Sequence, residues 1–304
     1  MPHEIITPEN EAHWLRLRTY DLTSTDVAAL FGLSPYLTHF ELWHRKKGNV
    51  EGTFQANQRM TWGNRLEGAI ARGVADDQGW QVEPMKQYHR LSQLRLGSSF
   101  DFRFKDSMGS DGILEIKNVD WLAFRDQWQT ENDGVEAPAH IEVQVQHQML
   151  VSGMRRAAIA ALVGGNDVCM LEREADDDVQ RAITAKAADF WASIDEGREP
   201  LPDYAQDYDT LAKLHSHAEP GKFRDARDDQ DLAGLCASYH DLGKQEKAIK
   251  ESRRALKSQI LVAAGDNEKL LVDGFTVGAG YVRPTMIEAY ERAGYRNVRL
   301  HPRK

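Results

Sequence analysis

The chain has little cysteine and no long apolar segment. Cys169 and Cys236 are its only cysteines among 304 residues, which is too few for a disulfide framework, a four-cysteine zinc site or a four-cysteine iron–sulfur cluster. No apolar run reaches the ~18–20 residues needed to cross a bilayer. The first residues lack the basic-then-apolar pattern of a secretory signal. From these absences we expect a cytoplasmic protein.

Basic residues are also in the minority. The chain has 38 Lys and Arg but 47 Asp and Glu, so its net charge is −9. The acidic excess is local, because residues 172–210 hold twelve acidic and four basic residues, whereas residues 211–304 hold seventeen basic and thirteen acidic. Net charge therefore neither excludes nor favours a DNA-binding face. With 41% hydrophobic and 28% charged residues, the composition excludes a disordered chain.

Helical and strand periodicities alternate along the first two thirds of the chain. Segment 140–152 fits both periods, and its length favours a helix. Three Phe alternate with polar residues in 99–104, and a turn-rich segment separates them from a second alternating run at 114–117, which predicts an antiparallel hairpin. The patterns together predict helices over 38–48, 62–75, 140–152 and 176–196, and a second hairpin formed by 156–163 and 168–173.

The last third of the chain has a different pattern. A proline-containing segment at 199–203 has the composition of a linker. Beyond it, positions that alternate steps of three and four run from Leu232 to Ile260, and seven of these nine are apolar, with Glu246 and Arg253 as the exceptions. This heptad-like spacing predicts a long amphipathic helix, followed by a hairpin at 270–277. We therefore expect a core domain at 1–204 and a helical and β-hairpin extension at 205–304.

One group of residues has the chemistry of a metal site. Asp101 is followed fourteen residues later by Glu115-Ile116-Lys117. Because residues two apart on a strand share a face, Glu115 and Lys117 project together, and a paired strand brings Asp101 to the same space. Carboxylates and backbone carbonyls are the oxygen ligands that Mg²⁺ prefers. Glu67, on a predicted helix, offers a third carboxylate. From spacing alone, a solvated strand face remains the alternative interpretation.

Several longer motifs extend this pattern over roughly residues 10–200. They are, in chain order, Trp14-Leu-Arg-Leu-Arg18, Leu22-Thr-Ser-Thr25-Asp26, Gly32-Leu-Ser-Pro-Tyr36, Trp62-Gly63-Asn64-Arg65-Leu66-Glu67, Gly97-Ser98-Ser99-Phe100-Asp101, Leu114-Glu115-Ile116-Lys117 and Gln144-Val145-Gln146-His147-Gln148-Met149. With these motifs the chain resembles the phage-type alkaline exonucleases, that is, lambda exonuclease and the YqaJ-like viral recombinases of the PD-(D/E)XK nuclease superfamily. It departs from that family at Ser99-Phe100-Asp101-Phe102, where Ser-Pro-Asp-Gly is usual.

The resemblance implies a fold and a site. It implies a restriction-endonuclease-like α/β core with a central mixed β-sheet flanked by helices. Asp101, Glu115 and the carbonyl of Ile116 would bind Mg²⁺, for which Mn²⁺ would substitute, and Glu67 would bind a second metal or its water shell. Lys117 would activate the water, and Gln144 would position the nucleophile or the scissile strand. Arg18 and Thr25 match positions that recognise a 5′-phosphate, a group that suits a bidentate Arg.

The implied function is Mg²⁺-dependent 5′-to-3′ digestion of linear double-stranded DNA, which leaves 3′ single-stranded tails for recombination by strand annealing. The family also implies a ring-shaped homotrimer and a single-strand annealing protein as partner, in the cytoplasm of a bacterial host. Two alternatives stay open at this point. One is an endonuclease or repair nuclease of the same superfamily, and the other is a non-catalytic protein that binds DNA ends during recombination.

Overall fold

The computed structural model describes residues 3–51, 58–128, 134–284 and 286. The chain divides into two compact units, Met1–Leu214 and His215–Lys304. The helices are α1 Glu11–Tyr20, α2 Val27–Leu30, α3 His39–Lys47, α4 Gln58–Gln78, α5 Trp121–Gln127, α6 Ala139–Ser152, α7 Asp177–Asp195, α8 Tyr208–Leu214 and α9 Gln230–Ala264. The strands are β1 His3–Ile6, β2 Gln81–Pro84, β3 Tyr88–Leu91, β4 Leu96–Ser98, β5 Phe102–Lys105, β6 Asp111–Val119, β7 Arg156–Val163, β8 Asp167–Glu174, β9 Lys269–Val272 and β10 Phe275–Gly278.

A five-stranded mixed sheet forms the centre of the first unit. Its strand order is β2-β5-β6-β7-β8. Only the β6–β7 pair is parallel, with Glu115 opposite Ile159 and Lys117 opposite Ala161. Parallel neighbours need a crossover connection, and here it contains α5 and α6. A second, antiparallel sheet has the order β1-β3-β4.

Each face of the central sheet is covered by a helix. On one face Leu114 and Ile116 of β6 pack with Ile70 and Val74 of α4. On the other face, Ile113 packs with residues of α6 that include Val145. The alternation of β6 therefore directs its even-numbered residues towards α4 and its odd-numbered residues towards α6. The expected α/β core, a mixed sheet flanked by helices, is confirmed.

The predicted helices and hairpins are present, and some have capping interactions that the sequence indicates. The hydroxyl of Thr38 accepts a hydrogen bond from the amide of Glu41 at 3.0 Å, which begins α3. Gly48 ends that helix in the left-handed conformation, at φ 82°. The hairpin of β5 and β6 pairs Phe102 with Leu114, and β7 pairs antiparallel with β8.

One strand begins later than predicted. The alternation of Phe predicts a strand over 99–104, but β5 begins at Phe102. Asp101 precedes the strand, and its carbonyl accepts a hydrogen bond from the amide of Met85 at 3.1 Å. The side chain of Asp101 meanwhile accepts from the amide of Ile116 at 2.8 Å. The chain therefore bends at Asp101, and its carboxylate lies against the backbone of β6.

The second unit contains α9 and a small hairpin. The side chain of Asp229 caps the start of α9 by accepting from the amide of Leu232 at 3.0 Å, and the helix ends before Gly265. Strands β9 and β10 pair antiparallel around a turn at Asp273-Gly274. Gly274 has φ +75°, a conformation that favours glycine. Residues 285 and 287–304 of the predicted extension lie outside the described residues.

The predicted domain boundary at 204/205 stays a prediction. Asp207 is 1% exposed and belongs to the first unit, where it accepts a hydrogen bond from the Thr38 hydroxyl. Its other carboxylate oxygen accepts from the amide of Asp203 at 2.8 Å. Residues just after 204 therefore help to hold the start of α3. Within the described residues, no helix combines the length and the apolarity that a membrane span requires.

Candidate active site

A buried glutamate lies at the centre of the candidate site. Glu115 of β6 is 3% exposed, and both of its carboxylate oxygens accept hydrogen bonds. Oε1 accepts from Lys117 Nζ at 2.7 Å and from Gln144 Nε2 at 2.5 Å, and Oε2 accepts from Gln148 Nε2 at 2.7 Å. A buried carboxylate is costly unless it is paired and hydrogen-bonded. These three donors therefore satisfy both carboxylate oxygens of Glu115 inside the domain.

The local structure explains why these side chains meet. Glu115 and Lys117 are two residues apart on β6 and share the face that lies against α6. Gln144 and Gln148 are four residues apart on α6 and share the helix face that meets the strand. Lys117 Nζ also donates to Gln144 Oε1 at 3.2 Å. Side chains from strand β6 and from helix α6 therefore meet at one carboxylate.

Two more carboxylates lie in the electric field of Glu115. Burial, followed by repulsion from Glu115, raises the pKa of Asp101 well above its ordinary value. The pKa of Glu67 on α4 is also raised, first by burial and then by Glu115. Like charges in a low-dielectric site disfavour each other's ionised form. The three predicted acids therefore form one electrostatic group, which a bound cation would stabilise.

Lys117 carries a positive charge in this arrangement. Burial alone would lower its pKa, but the Glu115 carboxylate outweighs that effect and raises the pKa above the ordinary value. A protonated ammonium has three donors and no lone pair. In this state Lys117 can orient a water molecule or a phosphate oxygen by donation.

The donor set suits Mg²⁺. Within the described residues, no group of three or more His, Cys, Asp or Glu side chains is arranged to hold a metal ion. Magnesium, however, is usually bound through one or two carboxylates and keeps several waters. Asp101 and Glu115 supply two carboxylates of that kind. Ile116, which lies between Glu115 and Lys117 in the chain, offers its backbone carbonyl. The chemistry of these residues therefore fits Mg²⁺.

A cavity opens beside Lys117 and Gln144. Its volume is about 290 Å³. Thr25 lines it, as do Tyr36, Arg59 and His140, together with other residues of the first unit that include Ser34, Asn118, Asp120 and Trp128. Arg59 Nη2 donates to Asp120 Oδ2 at 2.7 Å. The cavity thus combines cationic, hydroxyl and aromatic side chains next to the carboxylates, a lining that suits an anionic ligand.

Comparison with known proteins identifies the domain that holds this site. Residues 13–155 match the sequence model of the YqaJ-like viral recombinase domain family. This part of the chain is similar to the YqaJ-like viral recombinase domain. Every residue discussed above as a candidate for the site lies within the matched range, so the resemblance to the phage-type alkaline exonucleases is confirmed.

Individual proteins are similar to this chain over more than the matched domain. The protein YqaJ of Bacillus subtilis (strain 168) is 29% identical over 254 residues, which cover 81% of this chain and 73% of that protein. Among solved structures, the alkaline exonuclease LHK-Exo from Laribacter hongkongensis is 18% identical with a TM-score of 0.49, over 66% of this chain and 100% of that one. A phage-related exonuclease from Haemophilus somnus 129PT is 10% identical with a TM-score of 0.39, over 59% and 96% of the two chains.

The two predicted phosphate-binding residues of the YqaJ-like domain have different surroundings. Thr25 lines the cavity, whereas Arg18 is not among the described residues that line it. The Arg18 guanidinium lies 4.6 Å from the centre of the Trp14 ring. Burial opposes ionisation of Asp26, but Lys46 and then Arg18 hold the pKa of that carboxyl below its ordinary value. Arg18 therefore lies near the segment that carries Thr25, stacked on an aromatic ring.

The structure brings to the site some residues of the YqaJ-like domain to which the sequence motifs assign no role. Gln148 was part of a quoted motif, and its spacing of four from Gln144 is a signal that could have identified it. Tyr36, Arg59 and His140 come from three separated segments of the chain. Tyr36 ends the motif that begins at Gly32, whereas Arg59 and His140 belong to none of the motifs, and only the fold brings the three residues together.

Proposed function

We propose that this protein is a Mg²⁺-dependent 5′-to-3′ exonuclease that acts on linear double-stranded DNA and leaves 3′ single-stranded tails for recombination. The observation that carries this proposal is the buried Glu115, bonded to Lys117, Gln144 and Gln148 beside Asp101. A merely solvated strand face would not bury a carboxylate with three side-chain donors. Similarity to the YqaJ-like domain supports the assignment of this protein to the nucleases. The direction of digestion and the requirement for Mg²⁺ are further parts of the proposal.

The side chains divide the work of phosphodiester hydrolysis. Asp101, Glu115 and the carbonyl of Ile116 would hold Mg²⁺, which when bound polarises a phosphoryl oxygen and makes water a better nucleophile. The Lys117 ammonium donates towards the attacking water or a phosphate oxygen. The Gln144 amide fixes that ammonium, since its Oε1 accepts from Lys117 while its Nε2 donates to Glu115. Positioning and electrostatic stabilisation together account for the catalysis that this arrangement can supply.

The cavity supports action at the end of a single strand. At about 290 Å³ it is near the lower limit of small-ligand pockets, which span roughly 300–1,000 Å³. Such a space suits the terminal nucleotide of one strand rather than a duplex. Thr25 and Arg59 line it and offer a hydroxyl and a guanidinium to a terminal phosphate. Arg18 adds positive charge near this end of the site.

The assembly and partners belong to the same proposal. A homotrimeric ring would keep the enzyme on one duplex while successive nucleotides are removed. A single-strand annealing protein would take up the 3′ strand as it is exposed. The support for both is the YqaJ-like domain and its kinship to the phage recombinases.

One assay tests the proposed reaction. Linear duplex DNA with a 5′-phosphate is labelled at the 5′ end in one sample and at the 3′ end in another, and closed circular DNA is the third substrate. Each is incubated without metal, with Mg²⁺ and with Mn²⁺. We expect early release of the 5′ label as mononucleotide, retention of the 3′ label on long strands, no cutting of circles, and no reaction without metal. Cutting of circles would indicate an endonuclease, early release of the 3′ label the opposite direction, and binding without hydrolysis a non-catalytic end-binding protein.

A further inference from the structure

An exposed tyrosine lies at the cavity beside Lys117, and the proposed reaction gives it no role. Tyr36 is 82% exposed and lines the cavity together with Lys117 and Gln144. Its ring contacts the ring of His140 edge to face, with the two centroids 6.0 Å apart and the planes at 86°. Such a contact covers at most one face of a ring. At this exposure, at least one face of the Tyr36 ring is therefore open to a ligand.

The backbone around Tyr36 is held in a turn. The Ser34 hydroxyl accepts hydrogen bonds from the amide of Tyr36 at 3.3 Å and from the amide of Leu37 at 3.1 Å. Pro35, between Ser34 and Tyr36, has a fixed φ, and His140 lies in the first turn of α6. Tyrosine also offers a large flat surface with few rotatable bonds. Little conformational entropy is therefore lost when a flat ligand packs on this ring.

The surroundings favour a nucleobase as that ligand. In the proposed reaction, Thr25 and Arg59 lie near the terminal phosphate and Lys117 donates towards the attacking water or a phosphate oxygen. The base of the same nucleotide then lies against the remaining wall of the cavity, to which Tyr36 and His140 belong. Bases stack on aromatic side chains with little sequence preference, because every base has a π-face. An exposed tyrosine thus suits an enzyme that accepts all four bases in turn.

We propose that the ring of Tyr36 is the stacking surface for the base of the 5′-terminal nucleotide, and that His140 is the positioning residue that holds this ring. The inference rests on the proposed exonuclease function, which places the terminal nucleotide in the cavity. A base that stacks on Tyr36 must leave its pair, and stacking offsets part of the free energy of unpairing. Tyr36 thereby helps to separate the terminal base pair before hydrolysis.

A binding experiment that combines changes in the protein with a change in the DNA tests this contact. The DNA is a hairpin duplex with one open end and a 5′-phosphate, and its 5′-terminal nucleotide carries either a normal base or no base, as a tetrahydrofuran analogue. Affinity is measured by fluorescence anisotropy without divalent metal, so the readout does not depend on hydrolysis. The full-length variants are Tyr36→Ala, Tyr36→Phe and His140→Ala. The matched control is Tyr204→Ala, since Tyr204 is 78% exposed and is not among the described residues that line the cavity.

The proposal predicts a loss of affinity that depends on the base. Tyr36→Ala should weaken binding of the normal end by about 5- to 150-fold, the range for one base stacked on an aromatic ring. Binding of the baseless end should weaken by less than about twofold, the usual limit for changes that do not interact. Tyr36→Phe keeps the ring and should bind both ends like the wild type, as should Tyr204→Ala. His140→Ala should cause a smaller loss than Tyr36→Ala on the normal end, and that loss should vanish on the baseless end.

Two results would overturn the stacking contact. Equal losses of Tyr36→Ala on the two ends would show that the ring does not act on the base. A loss in Tyr36→Phe as large as that in Tyr36→Ala would assign the contact to the hydroxyl instead of the ring.

Failure of the proposed reaction is a separate result. A protein that shows the base-dependent loss but releases no nucleotide in Mg²⁺ would support the stacking site and contradict the exonuclease. Wild-type protein that does not bind the normal end would overturn both.

Discussion

At the scale of single residues, Glu115 shifts the pKa values of its charged neighbours. Its charge raises the pKa of Asp101 and of Glu67 by repulsion, after burial, and it raises the pKa of Lys117 by attraction against the opposing effect of burial. Neighbouring charges of this kind are typical of functional sites. A bound cation would reduce the repulsion among these carboxylates.

We predict that the role of Lys117 is separable from the role of the proposed metal ligands. Lys117→Ala removes a donor but no oxygen ligand, and Gln144 and Gln148 still bond Glu115. We expect the single-turnover rate to fall about 10²- to 10⁴-fold, the usual range for a proton-transfer or donor group, while the Mg²⁺ concentration for half-maximal rate stays close to normal. Lys105→Ala, at an exposed position of β5, is the control. A variant that needs far more Mg²⁺ yet reaches the full rate would contradict this role.

Arg18 is predicted to recognise the 5′-phosphate. A charge-assisted hydrogen bond contributes roughly 1.5–3 kcal/mol. Arg18→Ala should therefore reduce the preference for 5′-phosphorylated over 5′-hydroxyl ends by about tenfold or more. The measurement is kcat/KM on the two duplexes, with Arg16→Ala on the same helix as control. Equal losses on both ends would show that Arg18 acts only through its stacking on Trp14.

At the scale of elements, the site forms where a strand and a helix meet. Strand β6 presents Glu115 and Lys117 to α6, and α6 returns Gln144 and Gln148. Strand periodicity alone predicts that Glu115 and Lys117 share a face, because the two residues are two positions apart on one strand. That Gln148 reaches Glu115 depends on how the helix packs on the sheet, which the chain's local pattern does not contain.

The elements also show why the predicted start of one strand was wrong. The Phe alternation over 99–104 follows burial, since Phe100 and Phe104 are both buried. The strand nevertheless begins at Phe102, because the backbone and side chain of Asp101 bond Met85 and Ile116 instead of continuing the ladder. A hydrophobic pattern reports which side chains are buried, whereas the strand boundary depends on hydrogen bonds to distant segments.

Gln148 is predicted to position Glu115. Gln148→Leu leaves Oε2 of a buried carboxylate without its donor, which costs about 1–3 kcal/mol. Groups that orient metal ligands typically change metal affinity or activity by about 10- to 100-fold, so we expect a loss of that size and a higher Mg²⁺ requirement.

The control for Gln148 is Gln146→Leu on the same helix. Gln146 bonds the backbone of Glu174 and Asp176, so its loss should lower the melting temperature while the rate per folded molecule is kept. Equal rate losses in both variants would show that Gln148 is only structural.

At the scale of the whole molecule, the chemistry and the extension are separate. Every candidate residue of the site lies in the first unit, Met1–Leu214. The sequence pattern predicted the long helix and hairpin of the second unit, because α9 and its turn are locally encoded. It did not predict that Asp207 supports α3, since that contact joins residues 169 positions apart.

Truncation tests this division. A chain of residues 1–214 should fold and hydrolyse DNA in Mg²⁺ at a single-turnover rate close to that of the full chain, with weaker digestion of long duplexes. A chain of residues 1–204 lacks Asp207 and should be less stable by about 1–3 kcal/mol, since it loses a buried hydrogen-bonding partner. Denaturant unfolding and single-turnover digestion measure the two effects. A folded 1–214 chain without activity would show that the second unit completes the active site.

The central claim is that Glu115 binds the metal that hydrolyses DNA. Its most direct test is the single-turnover release of nucleotides from 5′-phosphorylated linear duplex by Glu115→Ala in Mg²⁺, with exposed Glu172→Ala as the matched control and duplex binding measured in parallel. Because a bound metal contributes several kcal/mol to the transition state, the rate should fall at least about a hundredfold, while binding, which depends mainly on backbone phosphates, stays near normal. A Glu115→Ala protein that releases nucleotides at close to the control rate would contradict the account.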